Sequence, residues 1–495
     1  MKSILGQEKD RRLYHRKPTK FSVHRSSLLI PKIKNFLTQI SFLNHFLLKR
    51  NNNQVSLKLS AYNNYGRGID TFFEELKEKK VYAYSLDHIF NDKKIVSYQA
   101  EFFSGKNLFI PFPAVIVSHF SNNCYNMVHS YNRILNDKEE DFKINSEQTS
   151  EGAIESYFNK DIESGFILHA GQKKINQNLE LQIYKNRKKI IKKIKLNLNP
   201  FNTKLISLKK YIDQKSIGIS NDQVFFVKVP KQELFYGRLL AGLYSSKKKY
   251  LSMNHSYYNS NNTKEYFKDT TSSRIYPFFK NYNNELLFYP LNSKSNLEII
   301  LKFPNNKEVS CGFVKSPGSK VLKINLNKIL EENNLNFEMF ELIAKSKNGK
   351  IPTRVNHQFI VGSNKSKIKA SINNNLVNKF VYLNLSQKKG FCWGPIYLNK
   401  NYNTHLSIYN YYLTCKKNPA YLKIYSSNRL IYKTKINMKN DKPVFFDNKY
   451  LDKIRISNNL NEICWYTVGS QNNNINAISF HMNKKSHNAS GEHSF

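Results

Sequence analysis

Leu108 to Tyr131 reads LFIPFPAVIVSHFSNNCYNMVHSY, and a diverged copy returns at Leu234 to Tyr257 as LFYGRLLAGLYSSKKKYLSMNHSY. Aligned without gaps, the two share Leu, Phe, Met, His, Ser and Tyr, and each places its His 21 residues after its Leu. A third copy, Phe337 to Phe359, keeps the Phe and ends His357-Gln358-Phe359; a fourth closes at Ser479-Phe480-His481. His129, His255, His357 and His481 thus recur at intervals of 126, 102 and 124 residues, each about one small sandwich long. Met127, His129 and Tyr131 alternate onto one face of a strand, as do Met253, His255 and Tyr257, and Val355, His357 and Phe359. The repeat predicts one closing strand per domain.

Between these strands, short runs such as SGFILHAG, NLELQIYKN, KVLKINLNKIL and AYLKIYSS alternate with Asn-, Asp-, Gly- and Lys-rich turns. That spacing predicts an all-β fold of tandem antiparallel β-sandwich repeats, Ig-like or jelly-roll-like, behind a short, basic, helical N-terminal leader. Long crossover helices are missing, which excludes a parallel α/β sheet and a helical solenoid. The expected domains are a leader over 1–50, partly helical or mobile, and a first partial β unit over 51–148 with a short helix at 69–80 (IDTFFEELKEKK). Sandwiches follow at 149–265, 270–365 and 366–495, the last with a His-rich tail. In the leader, Ile33, Phe36, Leu37, Ile40, Leu43 and Leu47 stand near helical spacing. Such a helix docks on the first sandwich or, with basic flanks, lies on an anionic membrane, which makes residues 33–48 a candidate peripheral contact.

The strand end Asn384-Leu385, the runs THLSIYN and AYLKIYSSNRLIYKTKI, and the closing INAISFH resemble the single-domain β-sandwich of the sensory rhodopsin transducer family, over about one unit. The resemblance implies a binding or coupling module and not an enzyme.

The formal charge is +42, from 78 Lys and Arg against 36 Asp and Glu. Two readings stand: a polyanion-binding surface, or a composition drifted toward AT-rich codons, since only 13 of the basic residues are Arg and Asn, Ile, Tyr and Phe abound. Lys dominance argues against dedicated base reading, for which the guanidinium fork is the better tool. Five cysteines, Cys124, Cys311, Cys392, Cys415 and Cys464, form no CxxC pair and suggest reduced thiols. With no secretory h-region and no run of roughly 18 apolar residues, a cytoplasmic location is expected.

Candidate ligand-binding residues are His129, Tyr131, His255, Tyr257 and His357, with the acid cluster Asp137, Glu139 and Asp141 just after the first HSY. The same histidines also fit a core in which each imidazole ties its strand to a neighbour. His481, His487, Glu492 and His493 offer imidazole and carboxylate ligands for zinc, or else belong to a docked or exposed tail. No other cofactor is suggested. No GxGxxG, GxxxxGK[ST], GxSxG or HExxH occurs, and no catalytic residue is nominated. The leading expectation is a non-catalytic binding or assembly protein made of repeated β-sandwich modules, its partner a protein, a glycan or another polyanion. The alternatives are a metal-dependent or carbohydrate-active enzyme using a closing-strand His and nearby carboxylates, and a sequence-independent polyanion binder.

Overall fold

The run IVSYQAEFFS at Ile95–Ser104 sends Tyr98, Ala100 and Phe102 to one side of its strand, all wholly buried, and Ser97, Gln99 and Glu101 to the other. Strands with this alternation pair into sheets, and the apolar faces of two sheets close on each other. The computed structural model describes residues 24–105, 114–129, 133–136, 150–155, 157–185, 188–211, 224–228, 239–255, 258–259, 266–267, 269–290, 294–318, 320–353, 355–376, 390–410, 418–439, 442–470 and 475–495. About 62% is strand and 8% helix. The expected all-β, multi-sandwich architecture is what the chain adopts.

An eight-stranded, two-sheet sandwich recurs four times. The first runs from His24–Pro31 to Cys124–Val128, the second from Ser150–Glu155 to Tyr250–His255, the third from Thr271–Pro277 to Ala370–Leu376, and the fourth from Gly390–Leu398 to Ala489–His493. The two-residue strand Ile351–Pro352, which pairs with Tyr266–Phe267, stands outside this count. Numbered within each sandwich, one sheet has the order 4-3-6-1 and the other 5-2-7-8 in all four; in the first two an added strand, Arg133–Asn136 or Tyr258–Asn259, extends the 4-3-6-1 sheet beside its first strand. A short helical element follows the fifth strand every time: Leu86–Ile89, a 3-10 turn at Leu208–Lys210, Leu326–Glu332 and Asn448–Ser457. The internal repeat is therefore a repeat of topology.

Several local expectations are corrected. The leader helix at 33–48 is a strand, Leu37–Leu43, followed by a helix at His45–Arg50. Asn35 turns the chain with a φ of 70°, and the Asn44 side chain caps the later helix by accepting from Leu47 N. Of the residues nominated for a membrane contact over 33–48, Ile33, Phe36, Ile40 and Leu43 are buried in the protein and Leu37 is exposed. The helix expected at 69–80 is the edge strand Gly68–Glu75, whose acids mimicked a helix start while guarding an exposed sheet edge. The run KVLKINLNKIL divides into a strand, Leu322–Asn325, and the helix Leu326–Glu332, with Asn325 as its N-cap. Strands also begin at His24, inside the expected leader, and the third sandwich's last strand lies beyond residue 365. No helix among the described residues is long and apolar enough to cross a membrane.

Two compact units divide the chain. One comprises Met1–Ser121, Val128–Lys249 and Met253–Glu265; the other comprises Asn122–Met127, Tyr250–Ser252 and Tyr266–Phe495. In the second unit an apolar core runs without a break from Tyr276 and Phe359 of the third sandwich to Tyr409, Ile478 and Phe480 of the fourth. In the first unit the two sandwiches meet through polar backbone contacts. Asn199 and Asn202 donate to the carbonyls of Asn64 and Asn63 at 2.7 and 2.9 Å, and Phe201 stacks on Tyr62 at 4.6 Å. Gly66 has a φ of 78°, and a Cβ there would lie 2.4 Å from the Pro200 carbonyl oxygen. Gly66→Ala is expected to destabilise the chain by more than about 1 kcal/mol, read as a lower midpoint in urea unfolding, because both backbone strain and the contact with rigid main chain oppose it.

Candidate functional site

The two HSY copies end eighth strands. His255 is the last residue of Tyr250–His255, and His129 directly follows Cys124–Val128. Both belong to the first unit, where their rings meet edge to face with centroids 4.7 Å apart, each side chain about nine-tenths buried. His357 and His481 lie instead in seventh strands, Val355–Gly362 and Ile475–Asn483. The four histidines are therefore two pairs of positions and not one repeated position, because alternation along a sequence reports which face a side chain takes and not which strand of the sheet carries it. Tyr131, Tyr257, Asp137, Glu139 and Asp141 lie outside the described residues.

In the first unit the sequence missed His119 and His169. His119 sits in the seventh strand, Ile116–Ser121, and its Nε2–H donates to the Pro31 carbonyl at 2.9 Å. Burial pushes its pKa down to about 4, partly offset by that bond and by the Asp87 carboxylate. Asp87 is itself engaged by Thr38 N at 2.6 Å, Tyr98 Oη at 2.8 Å and Lys32 Nζ at 3.3 Å. His169, at the end of Glu163–His169, is held down to about 3 by burial and by His119. A His at the end of an apolar run was the signal available: His169 directly follows Phe166–Leu168, and His119 follows Ala114–Val117 after one serine.

In the second unit His357 anchors a buried polar network. Tyr276 Oη donates to its Nε2 at 2.5 Å, and its Nδ1 faces the Val355 carbonyl at 3.4 Å. The Arg274 guanidinium stands 5.6 Å over the Tyr276 ring and donates to the Asn375 carbonyl at 3.3 Å. It is also hydrogen-bonded to Tyr409. Burial first, and then the Arg274 charge, lower His357 to about 3. Burial raises the Tyr276 hydroxyl above its usual range and Tyr409 to about 12. His405 bonds the Tyr282 hydroxyl at 2.6 Å and stacks on Phe480 at 4.8 Å.

His481 donates from Nε2 to the Tyr125 carbonyl at 3.0 Å, inside a ring of Tyr125, Tyr397 and Tyr402 with centroids 5.3 to 5.5 Å away. Burial holds it at about 4. The expected tail is an ordered eighth strand, Ala489–His493. Of the four nominated metal ligands, His481 is committed to Tyr125, and His487 occupies the hairpin turn before that strand with a φ of 57°. Glu492 is wholly buried, and its Oε1 lies 3.9 Å from His493 Nε2.

Together these imidazoles tie strands to neighbours. A neutral imidazole donating to a carbonyl or bonded to a tyrosine satisfies a buried polar group, but with a pKa near 3 or 4 it is a poor general base at neutral pH. A cavity beneath the helix Leu326–Glu332, lined by Phe278, Leu301, Phe303, Leu330 and Met339, measures about 10 Å³, room for about one water. It contains no polar side chain among its lining residues. The chain matches no family model, no curated protein and no solved structure.

Each of His119, His169, His357 and His481 has a folded pKa below the roughly 6.5 of the unfolded chain. Its stabilisation is complete above pH 6.5 and is lost as pH falls toward 4, where the unfolded chain takes up protons that the folded one refuses. Unfolding midpoints are expected to drop steeply between pH 6.5 and 4, with roughly 3 kcal/mol at stake per buried imidazole at 1.36 kcal/mol per pH unit. Tyr276→Phe removes the donor to His357 Nε2 and is expected to cost about 1–3 kcal/mol in urea unfolding at pH 7.

Proposed function

We propose that this chain is a non-catalytic binding or assembly protein whose repeated β-sandwiches are scaffolds presenting outer sheet faces. The observation that carries the reading is the fate of four of the described histidines. His119, His169, His357 and His481 are buried, held neutral, and embedded in strands. An enzyme using such a residue as acid or base needs its pKa near the working pH and its ring within reach of substrate.

A cytoplasmic setting belongs to this proposal. Cys124, Cys311, Cys392 and Cys464 are free thiols, and burial raises Cys124 and Cys311 to about 12, as expected of inert cysteines in a reducing compartment.

Acylation by diethyl pyrocarbonate at pH 7, read residue by residue by mass spectrometry, tests the reading. His119, His169, His357 and His481 should stay unmodified in the native protein and react once it is unfolded in urea. Modification of His357 or His481 at the rate of a free imidazole would place it in an accessible site and end the proposal.

A further inference from the structure

The outer face of the fourth sandwich's 4-3-6-1 sheet departs from the pattern of the first and third. In the first, Phe73 on the edge strand stands opposite Lys58, whose Nζ lies 5.8 Å from the ring and 3.3 Å from Glu101. In the third, Phe313 stands opposite Glu298, and Lys347 lies 5.8 Å from the ring and 2.6 Å from that carboxylate. Each aromatic ring there is covered by a cation whose charge is already matched. The fourth sandwich carries its exposed aromatic residue, Tyr421, on the third strand instead of the edge strand, and has lysines across from it but no acid beside them. Lys423 stands directly opposite Lys433, and Tyr421 opposite Lys435. The strands Gly390–Leu398, Asn418–Tyr425, Leu430–Met438 and Glu462–Ser470 carry a single acid, Glu462, which accepts from the Ser427 backbone and hydroxyl at 3.0 and 2.7 Å. Like charges directly opposite on paired strands destabilise a sheet, so a bound anion would relieve a real cost.

The same face is open at Gly469. Gly469 pairs with Phe391 on one side and Tyr421 on the other, and a side chain at Gly469 would meet nothing within 4 Å. Adjacent strands lie about 4.8 Å apart, so a flat ring resting on Gly469 sits about 5 Å from each aromatic, inside the stacking range. Tyr421 is 46% exposed, and Lys433 and Lys435 are exposed beside it.

We infer that this face binds single-stranded nucleic acid, one base stacking over Gly469 between Phe391 and Tyr421 while Lys423, Lys433 and Lys435 meet the phosphates. The inference rests on the reading of the chain as a binding module. It favours nucleic acid over a sulfated glycan because the open space over Gly469 takes a flat ring and the lysines alone would not need one. Recognition of this kind is tolerant of sequence, since every base has a π face.

The test is fluorescence anisotropy of the full chain with a labelled oligo-dT of about 15 nucleotides, at several salt concentrations. Tyr421→Ala and Gly469→Val, the second filling open space without disturbing the fold, should each weaken binding about tenfold. The double variant Lys423→Glu/Lys433→Glu should weaken it further and flatten the salt dependence, while Lys307→Glu, in a turn of the third sandwich, should leave it unchanged. If the lysine variants weaken binding and the Tyr421 and Gly469 variants do not, and dextran sulfate displaces the oligonucleotide equally from all proteins, the face is a bare polyanion surface and the inference is wrong. No binding by the wild-type protein also overturns it. If His357 and His481 remain protected from acylation in that case, the binding-module reading survives without this ligand.

Discussion

An imidazole taken out of water must give up either its charge or its burial. Here it gives up its charge, and much of the internal wiring depends on that exchange. The ring nitrogens of His119 and His481 donate to backbone carbonyls of Pro31 and Tyr125, while Nε2 of His357 accepts a hydrogen bond from the Tyr276 hydroxyl. A sandwich core is apolar on its inner faces, yet these residues tie a strand of one sheet to a strand of another through single directed bonds. The arrangement is stable while the rings stay neutral. It therefore specifies strand neighbours at neutral pH without needing buried ion pairs, whose desolvation is seldom recovered.

The fourfold topology is the frame on which this wiring hangs. The same strand order and the same short helical element after the fifth strand recur although the sequences have diverged, because two-sheet closure needs only alternation and turns, which many sequences supply. Divergence shows most on outer faces. The first and third sandwiches neutralise their lysines with acids beside an aromatic ring, whereas the fourth sets Lys423 against Lys433. A feature that costs stability and that the first and third copies lack is where a ligand surface is to be sought.

The fold was legible in the sequence to the extent that alternation reports it. Runs such as AYLKIYSS and SGFILHAG declared strands because every second side chain was apolar. Residues 33–48 and 69–80 deceived for the same physical reason: a short amphipathic strand with charges at one end shares its composition with an amphipathic helix, and the φ of 70° at Asn35 that separates the two is set by the turn and not by hydrophobicity. The histidines were half legible. Their side of the strand followed from spacing, but the meeting of His129 with His255, and the partnership of His357 with Tyr276, 81 residues away, depend on which strands lie next to each other. The acidless face of the fourth sandwich was invisible for that reason too, since Lys423 and Lys433 become opposites only through strand register.

The account stands most directly on the protonation state of the buried rings. In protein labelled with nitrogen-15 histidine, long-range proton–nitrogen correlation spectra between pH 7.5 and 5.5 should show His119 and His481 as fixed Nε2–H tautomers and His357 as a fixed Nδ1–H tautomer, none of them titrating. A ring among these three that titrates near pH 6.5 would be reached by water, and the claim that it is a buried structural tie would be contradicted.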